Sequence, residues 1–143
     1  MKRRGSLLRL KRFRVDELKR RLGTLDEMRT DLEKKLTDLE DSVVRERQRS
    51  ADSDIGRLAF PSFLQSIEVR RKNIKTTMIE LERERAAQQE DLTTAFQDLK
   101  TFELAEEERL RRAAEAETHA QQSRMDEIAM VRHLRKHAVR KAG

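Results

Sequence analysis

The sequence predicts an all-α protein, a long two-helix antiparallel coiled-coil hairpin with a C-terminal helical overhang. Composition gives the first reason. Charged residues make up 42% of the 143 residues and aromatics 3%, with four glycines and one proline. Such a chain has too few apolar and turn residues for a thick core, and it suits long helices with a thin seam. Periodicity gives the second reason. Leu18, Leu25, Leu32 and Leu39 recur every seven residues within LKRRLGTLDEMRTDLEKKLTDLE. The third is a single break in the pattern, followed by a second heptad segment able to close on the first.

The first segment carries two interleaved rows. One is Leu8, Val15, Leu22, Arg29, Leu36 and Val43; the other is Lys11, Leu18, Leu25, Leu32 and Leu39. Alternating steps of three and four join them, as in the a and d positions of a coiled-coil seam. A helix is expected over about residues 6–50. Gly23 lies beside the seam and should cost about 1 kcal/mol relative to Ala.

The break is RSADSDIGRLAFPSF, residues 49–63, with Ser, Asp, Gly and the lone proline. Such residues punctuate helices, so a turn is expected at about 51–60. Pro61 would then fall in the first turn of the next helix, where its missing N–H is not needed. Asp54 or Ser62 could cap that helix, and Ser62 with Gln65 matches a capping box.

The second segment repeats the two-row pattern. One row is Phe60, Ile67, Ile74, Leu81, Gln88, Ala95 and Phe102; the other is Leu64, Arg71, Met78, Arg85, Leu92 and Leu99. No breaker follows, so helix is expected over about 61–138. The whole chain, 1–143, reads as a single coiled-coil domain. Folding about the turn pairs positions whose numbers sum to roughly 110, so Val43 meets Ile67 and Leu18 meets Leu92. Arg29 and Arg85 then fall close together. Their charges must run outward along their own stems, past Glu33, Glu82 or Glu84. A partner in the same chain is present at high effective concentration, and a loop of about ten residues closes easily. A monomer is therefore expected.

Chemistry-bearing motifs are sparse. The glycines are isolated, so no loop cradles a phosphate. There is no cysteine and hence no thiolate or disulfide chemistry. His133 and His137 share a helix face at metal-ligand spacing, but basic residues surround them and no carboxylate completes the set. Neither enzymatic activity nor a cofactor or metal is expected. No stretch approaches the length of a membrane span. The net charge of +6 favours an acidic partner. A basic stretch followed by leucine heptads suggests a zipper dimer on nucleic acid, but Leu7, Leu8, Leu10 and Phe13 interrupt the would-be reading helix. Nucleic acid is therefore not the expected partner. Beyond about residue 105 the second helix outruns the first. Its strip of Met125, Ile128, Val131 and Leu134 at helical spacing reads as a docking element.

Three stretches carry a resemblance to a known family. LLRLKRFRVDELKRRLGTLDEMR is a charged helix entered through a leucine pair. FPSFLQSIEVRRKNI is an aromatic-led start to a second helix. RMDEIAMVRHLRK is a Met-Asp-Glu segment before a basic tail. Together with length and helix order they resemble the flagellar type III export protein FliJ family. The resemblance implies a soluble cytoplasmic protein, peripheral at the inner face of the cytoplasmic membrane. It implies an antiparallel coiled coil similar to the central stalk of rotary ATPases. The implied partners are the hexameric export ATPase, a membrane export gate protein and export chaperones; an equivalent stalk protein of a virulence-type secretion system shares this mechanism. By motif match, Phe63, Ile67, Arg70 and Ile74 near the turn would meet the gate. The ATPase contact would lie at the opposite end, with Met125 and Ile128 as apolar anchors and Arg132, Arg135, Lys136 and Arg140 as cations.

Overall fold

A computed structural model describes residues 2–142. Two helices account for nearly all of them: α1, Lys2–Ser50, and α2, Asp54–Ala142. The chain forms two compact units, Met1–Leu99 and Lys100–Gly143. The first contains α1 and the opening half of α2, which pack against each other as an antiparallel hairpin.

The hairpin's seam follows the heptad rows. The buried apolar side chains are Val15, Leu18, Leu22 and Leu25 from α1, and Ile67, Leu81 and Leu99 from α2. Each is a row position. Leu32, Leu36, Leu39, Ile74, Met78 and Leu92 are half-buried in the same rows. Two helices cannot enclose a seam as a globule encloses its core, so partial burial is the normal state of these positions.

Cross-helix ion pairs report the register directly. Lys11 meets Asp98 at 2.5 Å, Arg85 meets Asp26 at 2.7 Å, Arg29 meets Glu82 at 3.7 Å and Arg71 meets Glu40 at 2.7 Å. The residue numbers of these pairs sum to 109 or 111, within one of the expected 110. The two seam arginines of the middle layer send their charges outward as expected. Arg29 donates to Glu33 at 3.2 Å and Arg85 donates to Asp26. Asp26, rather than Glu84, is the partner of Arg85, because it stands on the facing helix at that layer. Hydrogen bonding to Asp26 raises the Arg85 pKa, and hydrogen bonding to Glu40 raises that of Arg71 against an opposing effect of burial. Both guanidiniums therefore stay charged across the physiological range.

The turn is tighter than the sequence suggested. Among the described residues only Ala51, Asp52 and Ser53 lie outside helix, and α2 starts at Asp54, not near residue 61. Ser53 is the cap: its Oγ accepts a hydrogen bond from the Gly56 N–H at 2.9 Å, which satisfies an orphan donor of the first turn. Asp54 follows where a carboxylate favours the helix dipole, and Arg47 and Arg49 sit at the matching end of α1. The Arg57 guanidinium donates to the Ala51 carbonyl at 3.0 Å and ties the turn to α2. Ser62 consequently caps nothing, and Pro61 lies inside the helix at an exposed position. Its missing N–H leaves one backbone bond of α2 unmade. At the outer ends both helices extend slightly past the expected limits of 6 and 138.

Gly56 explains why the reversal can be so short. A Cβ there would lie 2.9 Å from the Ser50 Cα and 2.9 Å from the Ser53 Oγ. Ser50 itself is buried at this approach. Gly23, by contrast, has open space around the same position. Gly56→Ala should therefore destabilise the protein by about 1–3 kcal/mol through overpacking against backbone. Gly23→Ala should stabilise it by about 1 kcal/mol through helix propensity. Urea unfolding followed by circular dichroism measures both. A second check uses Gln88, a seam residue whose buried Oε1 has no hydrogen-bond partner among the described residues. Gln88→Leu should raise stability by about 1–3 kcal/mol, because the unmet desolvation cost is removed; the readout is the same urea midpoint.

Candidate interaction surfaces

The first surface lies at the turn. Phe60 and Phe63 stack with ring centroids 6.3 Å apart, and the Arg47 guanidinium sits 5.8 Å from the Phe60 centroid. Phe63 is half-buried beside Phe60, and part of it remains open. Ile67 is only 2% exposed and belongs to the seam. It can support a surface but cannot touch a partner while the hairpin is closed. Arg70 and Ile74 line a shallow groove between the helices with Lys35, Asp38, Leu39 and Asn73. The four residues expected near the turn thus separate into Phe63 beside the tip, Arg70 and Ile74 in the groove, and Ile67 beneath.

Sequence reading missed two prominent side chains here. Ile55 and Leu58 are each 82% exposed, the highest values among the large apolar residues. The early start of α2 places them on a helix with spacing three, whereas the expected turn had absorbed them. The signal available in the sequence was Ser53 followed three residues later by a small residue, a cap placed eight residues before the proline.

The second surface is the long exposed run of α2 within the second unit. Every described residue from 111 to 141 is exposed. The helix here is held by local chemistry. Arg109 pairs with Glu106 at 3.2 Å, Arg112 with Glu108 at 3.1 Å, and Arg111 also reaches Glu108. In each pair the carboxylate is N-terminal to the cation by three or four residues, the favourable orientation on a helix. Alanines at 113, 114, 116 and 120 add propensity. Farther along, Met125, Ile128, Arg132 and Lys136 share one face with Ala129 and His133. Arg135 and Arg140 are exposed outside that face. All six residues expected to form the ATPase contact are therefore accessible, and four of them are contiguous. The His133 and His137 rings lie 4.9 Å apart, but among the described residues no group of three metal-ligating side chains forms.

A hairpin with a buried seam and exposed outer helix faces defines a coiled-coil protein. Among the described residues, no helix is long and apolar enough to cross a membrane. The family model for the flagellar FliJ protein matches residues 1–138. The chain belongs to the FliJ family and is a component of the flagellar export apparatus. No curated protein and no solved structure matches it.

The contrast between seam and tip gives a direct check. Ile67→Ala should cost about 2–5 kcal/mol, the usual loss for a buried isoleucine. Ile55→Ser and Leu58→Ser should each stay within about 0.5 kcal/mol, as exposed substitutions do. Thermal melts of the three variants beside the parent protein provide the comparison.

Proposed function

We propose that the protein is a non-enzymatic, stalk-like adaptor of the flagellar export apparatus. It couples the hexameric export ATPase to the membrane export gate and receives export chaperones, working as a monomer peripheral to the cytoplasmic face of the membrane. Family membership supports the setting. The observation that carries the mechanism is the division of labour within the chain. Seam leucines are consumed by the hairpin, while a basic and apolar helix face from Met125 to Lys136 has no covering in the second unit.

The ATPase contact is assigned to Met125, Ile128, Arg132, Arg135, Lys136 and Arg140. Between Arg132 and Lys141 there are five Arg and Lys and no carboxylate. Such a segment attracts acidic loops and accelerates encounter, and the apolar side chains then add contact area that charge alone does not supply. The gate contact is assigned to Phe63, Arg70 and Ile74, with Ile67 holding the helix beneath them. Ile55 and Leu58 extend the same apolar tip. A large exposed apolar pair on an otherwise charged hairpin fits a docking role.

Addition of the protein should stimulate ATP hydrolysis by the hexameric export ATPase. Arg132→Glu combined with Arg135→Glu should lower the apparent affinity by tenfold or more, with helicity unchanged. Truncation after Glu117 should abolish stimulation. Phosphate-release assays at graded protein concentrations measure all three. Full stimulation by the truncated chain would eliminate the assignment.

A further inference from the structure

The opening turns of α1 carry a surface that neither the seam nor the adaptor contacts use. Leu7, Leu10 and Phe13 follow one another at spacing three and are 45%, 63% and 57% exposed. Around them, residues 3–15 hold Arg3, Arg4, Arg9, Lys11, Arg12 and Arg14 with no carboxylate. Lys11 is engaged across the hairpin with Asp98, and Arg14 reaches Glu17 at 3.6 Å. The Arg20 guanidinium lies 5.8 Å from the Phe13 centroid, so a cation flanks the aromatic ring itself.

The seam does not account for three exposed apolar side chains on this face. Cations near a helix start oppose the macrodipole, and carboxylates would stabilise that end instead. No acidic residue occupies the first turn of α1. Leu10 and Phe13 likewise add little to a seam that Val15 and Leu18 already fill. We propose that this face of α1 binds an anionic lipid bilayer surface, with the arginines at the headgroups and Leu7, Leu10 and Phe13 entering the interface.

The size of the patch selects the bilayer over a partner helix. A docked helix needs apolar anchors over several turns, and here three side chains span about two. A bilayer needs less. Each cation near an anionic membrane contributes about a fivefold gain in binding. A short apolar wedge beside a polybasic stretch then supplies the second signal that stable attachment requires. The site is independent of the ATPase and gate assignments and can fail or hold without them.

The experiment is co-sedimentation of the full chain with phosphatidylcholine vesicles, with and without phosphatidylglycerol. Strong binding only with phosphatidylglycerol, weakened by raised salt, is expected. Leu10→Ser with Phe13→Ser should reduce binding by tenfold or more while leaving helicity intact. Arg9→Gln with Arg14→Gln should reduce it by about twenty-five-fold, from two cations at about fivefold each. Arg132→Gln with Arg135→Gln should leave binding unchanged. Equal binding to neutral vesicles would overturn the proposal. So would loss only in the Arg132 and Arg135 variant, or full binding by the Leu10 and Phe13 variant. Duplex DNA or polyglutamate that competes at equal charge concentration, and is equally sensitive to Leu10→Ser with Phe13→Ser, would reassign the face to polyanions or acidic proteins.

Discussion

The hairpin depends on burial of α1's leucines by its own chain. Leu18 and Ile67 are almost completely removed from water, and Val15, Leu22, Leu25, Leu81 and Leu99 follow closely. Fully burying a side chain of this size contributes about 1.5–3 kcal/mol, and few are fully buried here. The seam is therefore thin, and its stability rests on consistent register. A slip of one layer would both misalign these residues and break the ion pairs Lys11–Asp98, Arg85–Asp26 and Arg71–Glu40. Exposed pairs of this kind add little net stability individually. Their contribution is to penalise the wrong alignment, as polar layers do in coiled coils.

A reversal of three residues sets that register. Gly56 allows α2 to begin beside Ser50 with no Cβ between them, and Ser53 closes the first turn of α2 through its side chain. A longer loop would let the helices slide, because loop closure costs rise only slowly with length. The same early start places Ile55 and Leu58 on ordered helix. Turn geometry thus determines both the alignment of the seam and the apolar character of the tip.

The second unit works on different physics. No side chain of its helix from 111 to 141 is buried, so local pairs such as Arg112–Glu108 and the alanine-rich stretch must hold it. A helix stabilised locally leaves its faces available, and the face from Met125 to Lys136 combines apolar and cationic groups. In a FliJ-family chain, this separates a self-satisfied hairpin from a helix whose composition is directed outward. The opening of α1 shows the same outward direction in Leu10, Phe13 and the arginines around them.

Much of this was determined by the sequence alone. Heptad rows named the buried residues, and one break in the pattern implied a hairpin with pairing near 110. The outward course of Arg29 followed from its place on the seam. These features are periodic, and period is written in one dimension. What the tertiary structure decided depends on close approach between residues that no repeat marks. The start of α2 turned on whether residue 56 could sit against Ser50, a fit of a few tenths of an ångström. Ile67 and Phe63 came from one motif, but packing buried the first and left the second half open. Which side of a helix faces a neighbour, and how near that neighbour stands, follows from the chain's path in space.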